Sequence, residues 1–306
     1  MCPVTKRASG CGATPRATDR DRSNTLEPMT EGTPREASDL LEAISRLEGL
    51  LQGFGEVAVA LSGGVDSLTL AAFAHRTLGS RAALVHAVSP AVPPSATARV
   101  KEFAARSGAS LTLLDAGEFS DEAYRRNPAD RCYFCKSHLY DAIRARFKTV
   151  VLSGTNFDDL SDYRPGLLAA RERGVRHPFV DAGLTKTRVR ELARHLDLGE
   201  IAELPSAPCL SSRVETGIRI EAPALALIDS IETALREEVK PQTVRCRVRR
   251  RGVVVEMDEA ALDRLPLSER AGWVERIASL TVDAGLSGAV SFEVYRQGGA
   301  FLHPRP

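Results

Sequence analysis

An α/β fold, a parallel sheet with helices on both faces followed by a small α+β region, is what three features of the sequence predict. Short β-branched runs at 57–61, 82–88, 111–114 and 150–152 alternate with stretches of helical periodicity, as in βαβ units whose strands are buried on both sides. The first run ends in a glycine turn that opens a helix. Around Glu221 the pattern changes to a helix, a β-rich stretch, another helix and a last strand.

In chain order, Leu40, Leu41, Ile44, Leu47, Leu50 and Leu51 recur at helical spacing and predict a first amphipathic helix. Val57 to Leu61 reads as a buried strand, 67–78 as a helix, 82–88 as a strand and 96–107 as a helix. Strands at 111–114 and 150–152 flank a helix over about 136–147, and another follows at 185–196, with Val189, Leu192, Ala193 and Leu196 on one side. A long irregular segment leads to a helix over about 221–239, strand material at 243–256, a helix near Trp273 and a strand at 290–295. We therefore expect three parts: a disordered N-terminal extension at 1–36, an α/β domain at 37–218, and a small α+β domain at 219–306 serving substrate binding or oligomerisation. The extension is rich in Pro, Gly, Ser, Thr and charge, without apolar periodicity. It is read as a regulatory tail or a dispensable addition.

With 306 residues and 43% hydrophobic content the chain can bury a full core. Its 41 Lys and Arg balance 40 Asp and Glu, so no global field draws it onto nucleic acid or an acidic membrane, and any polyanion site is local. No apolar run approaches the ~20 residues of a bilayer span, and no signal-peptide core opens the chain. The expected location is cytoplasmic, without a membrane partner. Six cysteines are too sparse for a disulfide scaffold, and a reducing cytosol keeps them as thiols.

Chemistry concentrates in two places. In Ser62-Gly63-Gly64-Val-Asp66-Ser67 the glycines admit an anion close to the backbone, and the following helix N-terminus offers unpaired N–H groups. Ser62 and Ser67 can donate hydroxyl hydrogen bonds, while Asp66, repelled by bare phosphate, suits magnesium. The second place pairs Cys132 and Cys135, at a metal-binding or redox spacing just before a helix, with Cys209 in the proline-punctuated loop Pro205-Ser-Ala-Pro208-Cys209-Leu-Ser211-Ser212-Arg213. Three thiolates would leave one iron of a cubane cluster open. A closed zinc site of Cys132, Cys135, His138 and Cys209 and a Cys132–Cys135 disulfide are the alternatives, as are purely structural thiols, the reading adopted for Cys246. Arg213 would lower a thiol pKa or hold phosphate. Glu232 and Glu293 read as solvated acids and stay outside the site, and Asp162 with Arg164 as a loop-ordering pair before a Pro165–Gly166 turn.

The hexad resembles the PP-loop of the ATP pyrophosphatases, which include NAD and GMP synthetases, asparagine synthetase and tRNA thiolases. The resemblance implies an adenine nucleotide alpha hydrolase-like fold and cleavage of ATP between the α and β phosphates. No GK[ST] follows, so it is not a Walker loop. From about position 40 onward the chain is further identified as a member of the LarE family of ATP-dependent sulfur transferases. That rests on the hexad, Asp162-Tyr-Arg164-Pro-Gly166-Leu, Cys209 with Ser211-Ser212-Arg213, and Thr243-Val-Arg245-Cys-Arg247. The resemblance implies adenylation of a carboxylate of pyridinium-3,5-dicarboxylic acid mononucleotide and its conversion to a thiocarboxylate, for the nickel-pincer cofactor of lactate racemase. It also implies assembly beyond a monomer. Sulfur comes from Cys209 itself in one type of the family, and from sulfide on a 4Fe-4S cluster held by three cysteines in the other. Cys132, Cys135 and Cys209 resemble the second type, which needs sulfide or a sulfur donor. Arg213, Arg245 and Arg247, near Ser212, would then bind the substrate's phosphate. Two readings compete: a tRNA thiolase, supported by Arg245, Arg247, Arg249, Arg250 and Arg251, and a non-catalytic nucleotide and iron-sulfur sensor.

Overall fold

A computed structural model describes residues 34–161, 164–206 and 208–296. Cys2, Cys11, Asp162 and the 1–33 part of the extension lie outside the described residues. Helix α1 (Pro34–Phe54) leads into β1 (Val57–Leu61), α2 (Val65–Leu78), β2 (Ala82–Ala87), α3 (Pro94–Ser107), β3 (Leu111–Leu114), the short α4 (Glu122–Arg125), α5 (Arg131–Arg146) and β4 (Val150–Ser153). These four strands form one parallel sheet in the order β3-β2-β1-β4. Alternation along β1 explains the layering. Val57, Val59 and Leu61 pack with α1, α2, α3 and Leu192 on one face, and Ala58 packs with Tyr140, Ile143 and Ala170 on the other. Leu47, Leu51, Leu68 and Leu84 are fully buried in the larger cluster, each contributing roughly 1.5–3 kcal/mol of apolar burial.

After β2 and β3 have stepped outward, the chain returns to place β4 beside β1. That reversal makes the carboxyl ends of β1 and β4 a topological switch point, where open α/β sheets receive ligands. Helices α6 (Pro165–Glu172), α7 (Pro178–Asp181) and α8 (Lys186–His195) follow β4. The Pro165–Gly166 turn expected from the sequence is the first turn of α6, since proline's fixed φ and missing N–H suit that position.

The remaining chain forms α9 (Ala222–Glu238), β5 (Val244–Arg249), β6 (Gly252–Met257), α10 (Glu259–Arg264), α11 (Leu267–Asp283) and β7 (Ala289–Val294). Its three-stranded sheet runs β5-β6-β7, with β5 antiparallel and β7 parallel to β6. Val244, Cys246, Val248, Val253, Val255 and Met257 pack against Leu225, Ile228, Ile231, Trp273 and Ile277. The period of two turns Arg245, Arg247 and Arg249 to the opposite, polar face. Cys246 is buried in this core, and burial raises its thiol pKa, in keeping with a structural role. Among the described residues no helix is long and apolar enough to cross a membrane.

Candidate active site: an anion cradle and three cysteines

The hexad sits where β1 hands over to α2, at the switch point. Gly63 has φ +81°, and a Cβ there would stand 2.9 Å from the Ala96 carbonyl oxygen, so the tight turn admits only glycine without strain. Ser67 Oγ accepts from Ser62 N at 3.1 Å and donates to the Gly64 carbonyl at 3.0 Å, with Ser62 Oγ 3.1 Å away. The loop is thus pre-shaped by its own hydroxyls. Gly64 is the N-cap of α2 and no side chain caps it, which leaves first-turn amides for an anion.

Two residues that sequence reasoning missed complete this cradle. Asp66 Oδ2 pairs with Lys186 Nζ at 2.5 Å, and its Oδ1 accepts from Asn156 Nδ2 at 3.4 Å. Lys186 is the first residue of α8 and Asn156 follows β4, so both reach Asp66 across the switch point. Gly154 lets the β4 loop approach this closely, because a Cβ would stand 2.8 Å from Ser67 N. The only sequence signals were a lysine after the capping Thr185 and a glycine after a strand, both weak. Asp66, expected from the sequence to suit magnesium, thus has the Lys186 ammonium as its neighbour.

Cys132 and Cys135 lie in the first two turns of α5, not before it as expected, about one helical turn apart and on one side. Cys209 is exposed and precedes a 3-10 turn, Leu210–Arg213. Buried polar ties join these distant segments. Asn127, fully buried at φ +54°, donates from Nδ2 to the carbonyls of Val214, Glu215 and Ile218 at 2.9–3.2 Å, and its Oδ1 accepts from Arg131. Tyr124 and Ser211 share a 2.7 Å hydrogen bond, and Leu210 N donates to the Ala91 carbonyl. The thiols consequently sense one another. Burial and then the Cys209 charge raise the Cys132 pKa, and burial pushes Cys135 up to about 12, against the lowering pull of Lys136. Burial would lower Lys136, but Tyr140 and the three thiols outweigh it and raise its pKa.

Arg213 is committed to the Cys209 loop. It donates to the carbonyls of Pro208 and Cys209 and to Ser212 Oγ, and its fork grips Glu232 at 2.9 and 3.2 Å. Glu232 is 1% exposed and also accepts from Cys246 N and Arg236. The solvated acid expected there is instead a buried charge centre. Burial alone would raise its carboxyl, but the Arg213 hydrogen bonds and charge, with Arg236 and the Cys246 amide, hold it below the ordinary range. Ser212 Oγ donates to the Cys209 carbonyl at 2.7 Å. Arg247 pairs with buried Glu256 at 2.7 Å and donates to the Ser212 carbonyl. Arg245 donates to the Val244 and Ser206 carbonyls and lies 5.8 Å from the Tyr295 ring centre. The three arginines expected on phosphate are therefore all engaged by protein groups here. Arg164 pairs with Asp159, its expected partner Asp162 lying outside the described residues. Glu293 is exposed, as expected of a solvated acid, with Arg249 at 3.6 Å.

The polar face of the second sheet borders a cleft of about 530 Å³ lined by Arg213, Arg247, Arg249, Arg250, Arg251 and Ser291, with Glu215 and Glu293. It meets the cysteine loop through Arg213 and through Arg247, which donates to the Ser212 carbonyl. Among the described residues no group of three or more Cys, His, Asp or Glu side chains is placed to hold a metal ion. A tetrahedral zinc needs its sulfurs about 3.8 Å apart, and His138 Nε2 is held by Asp121 at 3.0 Å. His138, the fourth ligand of the closed zinc set with Cys132, Cys135 and Cys209, is thus paired with a carboxylate. A cubane keeps its thiolates farther apart and asks only for soft donors facing one space.

No protein-family model matches the chain. It is 39% identical over 199 residues to an uncharacterised protein of Synechocystis sp., spanning 63% of this chain and 74% of that one. An uncharacterised Methanocaldococcus jannaschii protein is 30% identical over 176 residues, spanning 56% and 66%. The pyridinium-3,5-bisthiocarboxylic acid mononucleotide synthase of Lactiplantibacillus plantarum is 31% identical over 230 residues, 73% of this chain and 83% of the synthase. With an anion cradle at the sheet's switch point and a cysteine loop beside it, the chain belongs to the LarE family of that synthase.

Proposed function

We propose that this protein is an ATP-dependent sulfur transferase that adenylates a carboxylate of pyridinium-3,5-dicarboxylic acid mononucleotide and converts it to a thiocarboxylate. The observation that carries the reading is that one connection touches both half-sites. Between β4 and α6, Asn156 bonds Asp66 of the cradle, Asp159 pairs with Arg164, and Gly166 brings α6 against Lys136 and the Cys132 carbonyl. A substrate activated at the cradle thus lies next to thiol chemistry.

The steps follow from the residues. ATP places its phosphates on the amides of 63–67, with Ser62 and Ser67 as hydroxyl donors. Lys186, resting on Asp66, would supply positive charge to the phosphates, and Asp66 would hold a magnesium ion, which would offset phosphate charge. The substrate carboxylate attacks the α phosphorus and pyrophosphate leaves. A carboxylate is a poor electrophile, and the acyl phosphate bond to AMP corrects that. A sulfur nucleophile then adds to the carbonyl, and AMP departs with the bonding pair. Cys132, Cys135 and Cys209 would hold a 4Fe-4S cluster, and the chemistry it would supply is sulfide as the nucleophile. Arg213 and Ser212 keep the Cys209 backbone in place for either source.

A second sulfur source has an observation of its own. Cys209 is exposed, whereas Cys132 and Cys135 are partly buried with raised pKa values, which suits Cys209 as the nucleophile: its Sγ displaces AMP to give a thioester, and loss of the Cys209 α proton with cleavage of Cβ–Sγ then releases the thiocarboxylate and leaves dehydroalanine. The tRNA-thiolase reading is weakened, because Arg247, Arg249 and Arg250 of its basic run are paired with Glu256 and Glu215. The small α+β part, at 219–306 in our division of the chain, then shapes the substrate pocket and contacts between copies.

The test is anaerobic reconstitution with ATP, magnesium and the dicarboxylic mononucleotide, read by mass spectrometry for exchange of oxygen for sulfur. A thiocarboxylate with repeated turnover on added sulfide supports the cluster. A single turnover with one sulfur lost from the protein supports Cys209, and unchanged substrate with bound ATP rejects the reading.

A further inference from the structure

Helix α3 is locked against the phosphate loop by more than packing. Ala96 touches the space where a Gly63 Cβ would be. His86, 1% exposed at the end of β2, bonds the Leu61 carbonyl with Nδ1 and Thr97 Oγ1 with Nε2, both at 2.9 Å. One turn along from Ala96, Arg99 Nη1 donates to the Gly63 carbonyl at 2.8 Å. No ion pair holds Arg99 among the described residues, so the loop carbonyl is its recorded partner. A partly buried guanidinium set on one backbone carbonyl of an anion cradle calls for a reason.

We infer that Arg99 is a positioning residue of the proposed adenylation, acting through the Gly63–Gly64 peptide to aim the Gly64 N–H at the pyrophosphate part of ATP. The peptide is planar and trans, so its C=O and N–H point to opposite sides. Holding the Gly63 carbonyl on the α3 side turns the Gly64 N–H into the cradle. There its acceptor is Ser62 Oγ at a long 3.4 Å, a weak bond that a phosphate oxygen can replace. A charged donor on the carbonyl also polarises the amide and strengthens the bond its N–H makes. Glycines 63 and 64 have no side chain to fix this peptide plane, which otherwise rotates at little cost. Arg99 fixes it from outside the loop.

The inference rests on the phosphate-loop reading, and calorimetric titration of the full chain separates the two. Magnesium pyrophosphate, ATP and AMP are titrated into wild type, Arg99→Met and Arg99→Lys, with melting temperatures measured in parallel. Arg99→Met is expected to weaken pyrophosphate and ATP binding about tenfold, the worth of one charge-assisted hydrogen bond, with AMP binding and melting temperature unchanged. Arg99→Lys, which can still donate to the carbonyl, is expected to recover most of the loss. Wild-type affinity for pyrophosphate in Arg99→Met overturns the inference. So does an equal loss in both variants with a lowered melting temperature, which marks mere packing of α3. Failure of the wild-type chain to bind pyrophosphate or ATP removes the phosphate-loop reading itself, and the inference with it.

Discussion

The two halves of the site are built in opposite ways. The frame of the cradle is local: six consecutive residues shape themselves through the Ser62 and Ser67 hydroxyls and one helix start supplies the donors, while Lys186, Asn156 and Arg99 reach it from other segments. The cysteine half is assembled from 124–135 and 208–220, which meet through buried polar groups, Asn127, Tyr124 and the Arg213–Glu232 pair. A local site survives remote damage, whereas an assembled one depends on every tie that crosses it.

The largest test of this contrast is Glu232→Ala. It leaves Arg213 buried without its countercharge and is expected to cost roughly 3–5 kcal/mol in denaturant unfolding, while Cys209 alkylates faster as its loop loosens. ATP affinity of the folded fraction should stay at the wild-type value. Loss of ATP binding in protein that remains folded would mean the two halves are one cooperative device. The reciprocal test is Asp66→Asn, which keeps size and removes charge. Pyrophosphate release is expected to fall on the order of 100-fold, with stability and Cys209 alkylation unchanged. Release at the wild-type rate removes Asp66 from the chemistry.

The same contrast explains what the sequence made legible. The strand-loop-helix around Ser62–Ser67 and the parallel sheet follow from contiguous signals, β-branched runs and glycines, and stand in the structure as expected. Lys186 and Asn156 were not readable at the site, because their approach to Asp66 depends on β4 returning beside β1, a topological fact carried by no local pattern. Glu232 was misread for a similar reason. An acid on an amphipathic helix looks solvated until the tertiary fold buries it against Arg213. Helix α5 starts at Arg131, earlier than read, since its first turn is held by Asn127 and by packing rather than by propensity.

Asn127→Ala sharpens the comparison at smaller scale. It removes donors to three carbonyls and the acceptor for Arg131, and strains a φ of +54° that asparagine tolerates better than alanine. A loss of about 2–3 kcal/mol is expected, read by thermal unfolding, with Cys132 and Cys135 becoming reactive to maleimide alongside Cys209. Asn127→Gly should recover the backbone strain but not the bonds. Equal stability of the two variants would assign the effect to the bonds alone.

The smallest expected effect is an alkaline slope. Cys135 titrates near 8.5 when unfolded but is pushed to about 12 by burial in the fold. The native state therefore keeps this proton where the unfolded chain loses it. By linkage that contribution is whole below about pH 8.5 and is lost progressively as pH rises towards the folded value. Stability measured by urea unfolding of the metal-free protein should accordingly decline across that window, and Cys135→Ala should flatten the decline. Cys209→Ala, which removes an exposed thiol, should not flatten it to the same degree. An identical slope in wild type and Cys135→Ala would show that the Cys135 environment opens to water, and that the cysteine half is looser than its polar ties imply.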